Sequence, residues 1–495
     1  MENQRQIKIG QVEDKIGLGR RILGALIFQG DTMSDLLGTI ESLTDCYSEG
    51  ALKPSKVVAA HIDQISKKDP RLGAFQNVFF DKAMEQASAA DKMLSAGYRL
   101  GPLHGIPFAL KDIYDCEGHI CTRGSMALKD RVSPVTGTVV HRLLAAGGIL
   151  LGHTKTVEHA FGAWGTNQKM GSPCNPWILD NHHIAGGSSS GSAVATASGM
   201  AVCAIGSDTG GSVRLPASFC GVTGLKITEG RLPCDGIMPL SQTLDTPGPI
   251  TQTVADSVIL FDVMAGQDGA VIDTERRNGA GIYSALQHGV ARLRLGSISD
   301  EERAHCSNAV LAGYDNALSA LREMGALTSR FSSPFGYRDL AADNGAITSI
   351  EAYANHGHLY EQADLPMDED VRQRVMLGKA YPAYAYLEML KERRRKGQTF
   401  ISAMQGFDAL LTPTTTCTAP LLGEVDQSIS PAHFTRPFNY LGLCGLSVPI
   451  GLADDGLPLG LQIVARPLDE AMAVRVGSCL ERTLPKIGRP QFSVC

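Results

Sequence analysis

Apolar residues recur at helical spacing over residues 34–97: Leu36, Leu37, Ile40 and Leu43, then Val57, Val58, His61, Ile62 and Ile65. Such spacing lays one apolar stripe along a helix, and Gly50 and Pro54 punctuate the pattern into two helices. The rhythm then changes. Residues 106–111 form a short apolar run ending in a charge, residues 139–146 read as helix, and residues 148–152 as a buried strand. Residues 193–204 read as a helix of small side chains, and residues 222–227 as another strand. Residues 335–400 are mainly helical in pattern and carry Tyr353, Tyr360, Tyr381, Tyr384 and Tyr386, after which strand-like pieces return at 409–411 and 459–464. Strands alternating with helices predict an α/β architecture around a mostly buried sheet.

Composition narrows the class. The 495 residues suffice for one large domain or two or three ordinary ones, and no repeat or linker divides them. With 43% hydrophobic and 19% charged residues the chain is globular in type. Its 54 glycines have no period, which points to many tight turns. A net charge of -6 favours neither a nucleic-acid partner nor an anionic membrane. The basic cluster Lys391, Arg393, Arg394, Arg395 and Lys396 reads as a solvated helix face. None of the twelve cysteines forms a C-x-x-C pair and no signal peptide is visible, so reduced thiols in a cytoplasmic protein are expected. The apolar run over 22–28, after Arg20 and Arg21, is too short to span a bilayer. It reads as helix within an N-terminal extension over 1–33, suited to packing or oligomerisation.

Residues 184–194 read I-A-G-G-S-S-S-G-S-A-V, and Ser189 fits the G-x-S-x-G frame of a nucleophile elbow. An elbow serine follows a buried strand, whereas residues 180–185 are polar and loop-like, so the frame is not an elbow here. No serine has a lysine three residues later, which excludes the S-x-x-K class. The segment from Gly147 to Thr154 approaches a phosphate loop, but His153 stands where the lysine would be. No H-E-x-x-H occurs, and the pairs His182–His183 and His356–His358 lack a third metal ligand.

Ser212 closes the segment Gly206-Ser-Asp-Thr-Gly-Gly-Ser212. Adjacent glycines let successive N–H groups converge into an anion-binding nest, and a serine at its end would carry its own oxyanion hole. The same turn could hold a phosphate or be purely structural. The activating group is not obvious either. No histidine lies in a comparably constrained loop. Lys111, ending the apolar run, would be a base if buried and neutral, but by local sequence it reads as a solvent-exposed strand end.

Together these pieces resemble the amidase signature family, from about residue 34 onward. The resemblance rests on Gly186-Gly-Ser-Ser-Ser-Gly-Ser192, on residues 206–216 and on Phe219-Cys-Gly-Val-Thr-Gly-Leu-Lys226. It extends upstream to Gly101-Pro-Leu-His-Gly-Ile-Pro107 with Lys111-Asp112, and downstream to residues 408–413 and 456–462. It implies a layered α/β/α fold with a central mixed, mostly parallel twisted sheet, a single domain over 34–495, and a variable helical pocket region at 335–400. It also implies a Lys111–Ser188–Ser212 triad: Ser212 the nucleophile, Ser188 the proton bridge after a cis peptide, and Lys111 the base. Thr209, Gly210, Gly211 and Ser212 would supply oxyanion amides, with Ser189, Asp208 and Arg214 in support. The implied activity is hydrolysis of a small carboxamide, anilide or carbamate through an acyl-enzyme, with neither metal nor cofactor. Trp164 and the tyrosines would suit an aryl group. A homodimer fits this picture; the alternative is the amidase component of an aminoacyl-tRNA amidotransferase complex. Two departures stand out: Ser190 replaces a glycine, and Gly152-His-Thr-Lys155 replaces Gly-Lys-Thr-Asn.

Overall fold

Helix formation near the N-terminus follows the sequence punctuation. In the computed structural model, which describes residues 36–491, Thr39 caps helix Ile40–Ser48, and Pro54 opens helix Pro54–Leu72. The latter ends on Gly73 at φ 60°, a left-handed conformation that glycine adopts without a Cβ penalty. Val57, Val58, His61, Ile62 and Ile65 form its buried stripe. The expectations for residues 1–33, including the apolar run over 22–28, lie outside the described residues.

Eleven strands build one sheet: β1 (Phe75–Val78), β2 (Pro107–Lys111), β3 (Ile149–Thr154), β4 (Cys203–Asp208), β5 (Thr223–Lys226), β6 (Thr246–Thr251), β7 (Arg294–Ser297), β8 (Leu327–Arg330), β9 (Ala409–Pro413), β10 (Cys444–Leu452) and β11 (Pro458–Ala465). Their spatial order is β1-β3-β2-β4-β6-β5-β10-β11-β9-β7-β8. Period-two alternation sends neighbouring residues into two cores. Phe108, Leu110, Leu150, Cys203 and Ile205 enter one, while Ala109, Ile149, Leu151 and Ala204 enter the other. Helices cover both faces, as an α/β layered fold requires.

Three expectations change. The sheet is mixed but not mostly parallel, since six of its ten strand pairings among the described residues are antiparallel. An apolar run reports burial on both faces and carries no strand direction; the β10–β11 hairpin closes through Asp454, Asp455 and Gly456. The small-residue helix runs only over Ser190–Ala197, and residues 203 and 204 already belong to β4. Alanine and glycine suit either element, so the boundary was invisible locally. The helical region over 34–97 is interrupted by β1, a four-residue edge strand too short to show alternation.

Residues 335–400 are helical as expected, in helices Tyr337–Tyr360, Glu369–Leu377 and Ala383–Ala403. The basic cluster is only partly a solvated face, because Arg393 pairs with Glu229 and Lys396 with Asp343. No described helix is long and apolar enough to cross a membrane. None of the described cysteines is in a disulfide.

Candidate active site

Strands β2 and β4 lie side by side and parallel, with Leu110 opposite Ile205. Their carboxyl ends therefore open at the same edge, where loops of α/β sheets collect their ligands. Lys111 is the last residue of β2, and Ser207 lies near the end of β4. The glycine turn over 209–212 leaves β4 and enters helix Arg214–Cys220, while Ser188 and Ser189 lead into helix Ser190–Ala197. Two strand ends and two helix starts thus converge on one spot.

Lys111 is fully buried, which corrects its local reading as an exposed strand end. Strand β3 flanks it on one side, with Thr154 opposite, and β4 on the other. Its Nζ donates to Ser188 Oγ at 2.7 Å and to Ser207 Oγ at 2.8 Å. Burial pushes its pKa down to about 7, against the opposing pull of Asp245 and Asp208. Asp245, half-buried, is pushed up to about 6 by desolvation; Thr209 Oγ1 donates to it at 2.5 Å, and the Leu240 and Ser241 amides also donate.

The Gly187–Ser188 peptide is cis. Its glycines are forced by close approach: a Cβ on Gly186 would meet the Phe219 ring at 2.6 Å, and one on Gly187 the Gly162 carbonyl oxygen at 2.6 Å. The Ser188 carbonyl accepts from Thr156 Oγ1 at 2.8 Å and from Ser190 Oγ at 3.4 Å. Ser190, the departure from glycine, therefore braces the Ser188 carbonyl. Ser189 is no elbow: its hydroxyl is engaged with the Ser207 backbone, and its amide donates to the Ser212 carbonyl at 3.2 Å. The Lys155 amine lies beside Gly73 and Gly171, where it would meet a Cβ at 3.8 and 3.4 Å.

Ser212 is 8% exposed while Lys111 and Ser188 are fully closed, so it is the member a substrate can reach. Its hydroxyl has no hydrogen-bond partner among the described residues, and no direct hydrogen bond joins it to the Ser188 hydroxyl. The N–H groups of Thr209, Gly210 and Ser212 are likewise without acceptors among the described residues. Gly211 differs. Its N–H donates to Asp208 Oδ1 at 2.7 Å, so in this arrangement it fastens the turn.

That fastening continues into the core. Arg214 meets Asp208 through two parallel contacts of 2.9 Å, Nε to Oδ2 and Nη2 to Oδ1, with both side chains fully buried. Asn439 and Gln462 each accept from Arg214 at 2.5 Å, and Asn439 returns a bond to Asp208. Burial would raise the Asp208 pKa, but the Arg214 charge overrides it and holds the carboxyl well below the usual range.

Several contributors carried no local signal. Ser207 lay inside the quoted motif but looked like any other serine. Asn344 donates to the Thr209 carbonyl at 3.2 Å and Thr435 to the Gly210 carbonyl at 2.8 Å, both from far along the chain. Tyr114 donates to the Gly206 carbonyl at 2.7 Å. Beside Ser207 and Asp245 lies a cavity of about 200 Å³, lined in part by Ile237, Met238 and Leu240. The expected aromatic lining is absent from it. Trp164 stacks on Phe219 and donates to the Ile429 carbonyl, while Tyr381, just before helix Ala383–Ala403, and Tyr384, in its first turn, are exposed.

Comparison with known proteins identifies the family. The Amidase family profile matches residues 56–474. A glutamyl-tRNA(Gln) amidotransferase subunit of Thermosynechococcus vestitus is 34% identical over 459 residues, covering 87% of this chain and 95% of the relative. The 2-amino-5-chloromuconic acid deaminase of Comamonas testosteroni is 33% identical over 426 residues, with 84% and 89% covered. The structure of 6-aminohexanoate cyclic dimer hydrolase with substrate matches with a TM-score of 0.80 and 26% identity, over 92% of this chain and 99% of that one. The chain therefore belongs to the amidase-signature family, hydrolases of carbon–nitrogen bonds.

Proposed function

We propose that the protein hydrolyses a small carboxamide, anilide or carbamate with Ser212 as nucleophile, Ser188 as proton bridge and Lys111 as base. The 2.7 Å contact between a fully buried lysine and Ser188 carries this reading. Neutral Lys111 takes the Ser188 proton as Ser188 takes that of Ser212, whose oxygen attacks the carbonyl carbon. Negative charge grows on the carbonyl oxygen. The free amides of Thr209, Gly210 and Ser212 receive it, in a turn already braced by Asp208, Asn344 and Thr435. The proton returns along the same relay to the leaving nitrogen as the C–N bond breaks. Water, deprotonated by the same base, then releases the acid from Ser212. The cavity beside Ser207 suits a small apolar group. No step calls on a metal or a cofactor. A cytoplasmic location and a homodimer go with this reading.

A second reading follows from the similarity to the glutamyl-tRNA(Gln) amidotransferase relative. There the same chemistry would release ammonia within a complex. One preparation separates the two: purified chain alone, assayed on primary amides, an anilide and a carbamate. Turnover without additions supports the stand-alone hydrolase. Turnover only with ATP and partner proteins supports the second reading. No C–N cleavage under either condition would count against both.

A further inference from the structure

Glu302 and His305 stand one helical turn apart. Helix Asp300–Arg303 is short, but the chain keeps turning beyond it: Ala304 is still right-handed at φ -62°, and the His305 amide donates to the Glu302 carbonyl at 3.3 Å. Residues three apart on such a turn share a face. His433 reaches that face from a segment 131 residues after Glu302. Its Nε2 donates to Glu302 Oε2 at 2.5 Å, and its ring lies 4.5 Å from that of His305, tilted by 45°. One donor atom from each of the three side chains lies within 4.8 Å of the other two. Among the described residues no other three His, Cys, Asp or Glu side chains come together in this way.

Two imidazole nitrogens and one carboxylate oxygen are a ligand set for zinc or a similar first-row divalent ion, whereas calcium and magnesium prefer oxygen alone. Metal–ligand bonds of about 2.0–2.2 Å put two ligands of a tetrahedral ion roughly 3.3–3.6 Å apart, so small side-chain rotations would close this set. The His433–Glu302 hydrogen bond by itself needs no third partner, yet His305 brings a second imidazole to the same spot. An ion entering there takes the place of the proton that His433 shares with Glu302. The Glu302 and His433 side chains are each 13% exposed, while His305 is exposed, which leaves the approach open and the fourth position to water. Arg303, the cation on the same turn, is already engaged by Asp315 at 2.8 and 2.7 Å.

The place matters. His433 precedes Phe434, whose carbonyl accepts from Gln462, and Thr435, whose hydroxyl donates to the Gly210 carbonyl. An ion on His433 would fasten the chain that follows β7 to the segment bracing the glycine turn. We propose that Glu302, His305 and His433 form a zinc site that clamps these two segments together. The ion is structural, and the proposal stands independently of the hydrolase reading.

The test uses the full chain, stripped with EDTA and dialysed, with zinc chloride as the probe. Calorimetric titration should give one zinc per chain with a Kd of about 10 μM or tighter. Zinc at about a hundred-fold excess over that Kd should raise the thermal unfolding midpoint by about 2–3 °C. Glu302→Gln and His305→Ala should each weaken zinc binding by about 10-fold or more and remove most of that rise. Because His305 is exposed, His305→Ala should unfold in EDTA within about 1 °C of wild type, which separates ligand loss from misfolding. Cobalt(II) gives a second readout: its visible d–d bands should appear with wild type and fade in both variants. No zinc uptake overturns the clamp. So does a zinc affinity unchanged by both substitutions, or a thiolate-to-cobalt charge-transfer band; either would put the ion on other side chains.

Discussion

Arg214 and Ser212 stand at the same glycine turn under opposite conditions. Arg214 is fully buried, and Asp208, Asn439 and Gln462 saturate its guanidinium. The Ser212 hydroxyl has no hydrogen-bond partner among the described residues. The first arrangement is closed: it ties β4, the turn and β11 together and leaves nothing free to bind. The second is open, as are the Thr209 and Gly210 amides beside it. Groups satisfied internally hold the turn; groups left unsatisfied are those a substrate can engage. The difference teaches where to expect loss of stability and where loss of activity.

The largest break should come on the open side. Ser212→Ala removes the proposed attacking oxygen, and turnover should fall by about 10⁴-fold or more. Its stability in urea unfolding should stay within about 0.5 kcal/mol of wild type, because no hydrogen bond is lost. Substantial residual turnover would remove Ser212 as nucleophile. Lys111→Ala should lower kcat by about 10²- to 10⁴-fold at neutral pH, the usual worth of a positioned base.

The same lysine sets the pH dependence. Its folded pKa is lowered to about 7, so the neutral, proton-accepting form dominates only above that value. The kcat/KM profile should rise through a limb near pH 7 and fall about ten-fold for each unit below it. A maximum near pH 5 would contradict a neutral-lysine base.

Breaks on the closed side should appear as stability. Arg214→Ala leaves the Asp208 carboxylate buried and unpaired, at a cost of about 3–5 kcal/mol measured by urea unfolding. An unfolding free energy unchanged by this substitution would mean the pair does not hold the turn. The smallest effect belongs to a residue in neither class. Tyr384 is 72% exposed, and Tyr384→Ser should shift stability by no more than about 0.5 kcal/mol and leave turnover unchanged.

Much of this is legible in the amino-acid order. The apolar stripe Val57–Val58–His61–Ile62–Ile65 predicts a helix because local spacing alone decides which residues share a face. Strands β2, β3, β5, β9 and β11 show as short apolar runs for the same reason. The serine- and glycine-rich motifs locate the candidate site because unusual backbone geometry restricts which residues can stand there. Strand direction is not legible, since a residue buried on both faces looks alike in a parallel or an antiparallel pair. Strand β4 hides inside a run of small residues that pack equally well in a helix.

By itself the sequence determined the layered class and the family, and it nominated Lys111, Ser188 and Ser212 as candidates, all on short-range pattern. Only the tertiary structure decided that Lys111 is buried with its amine between Ser188 and Ser207. It also decided that Gly211 serves Asp208, that Asn344 and Thr435 brace the turn, and that His433 meets Glu302 and His305. The physical reason is common to all four. Desolvation and pairing depend on which atoms lie within a few ångströms, and those atoms come from segments far apart in the chain.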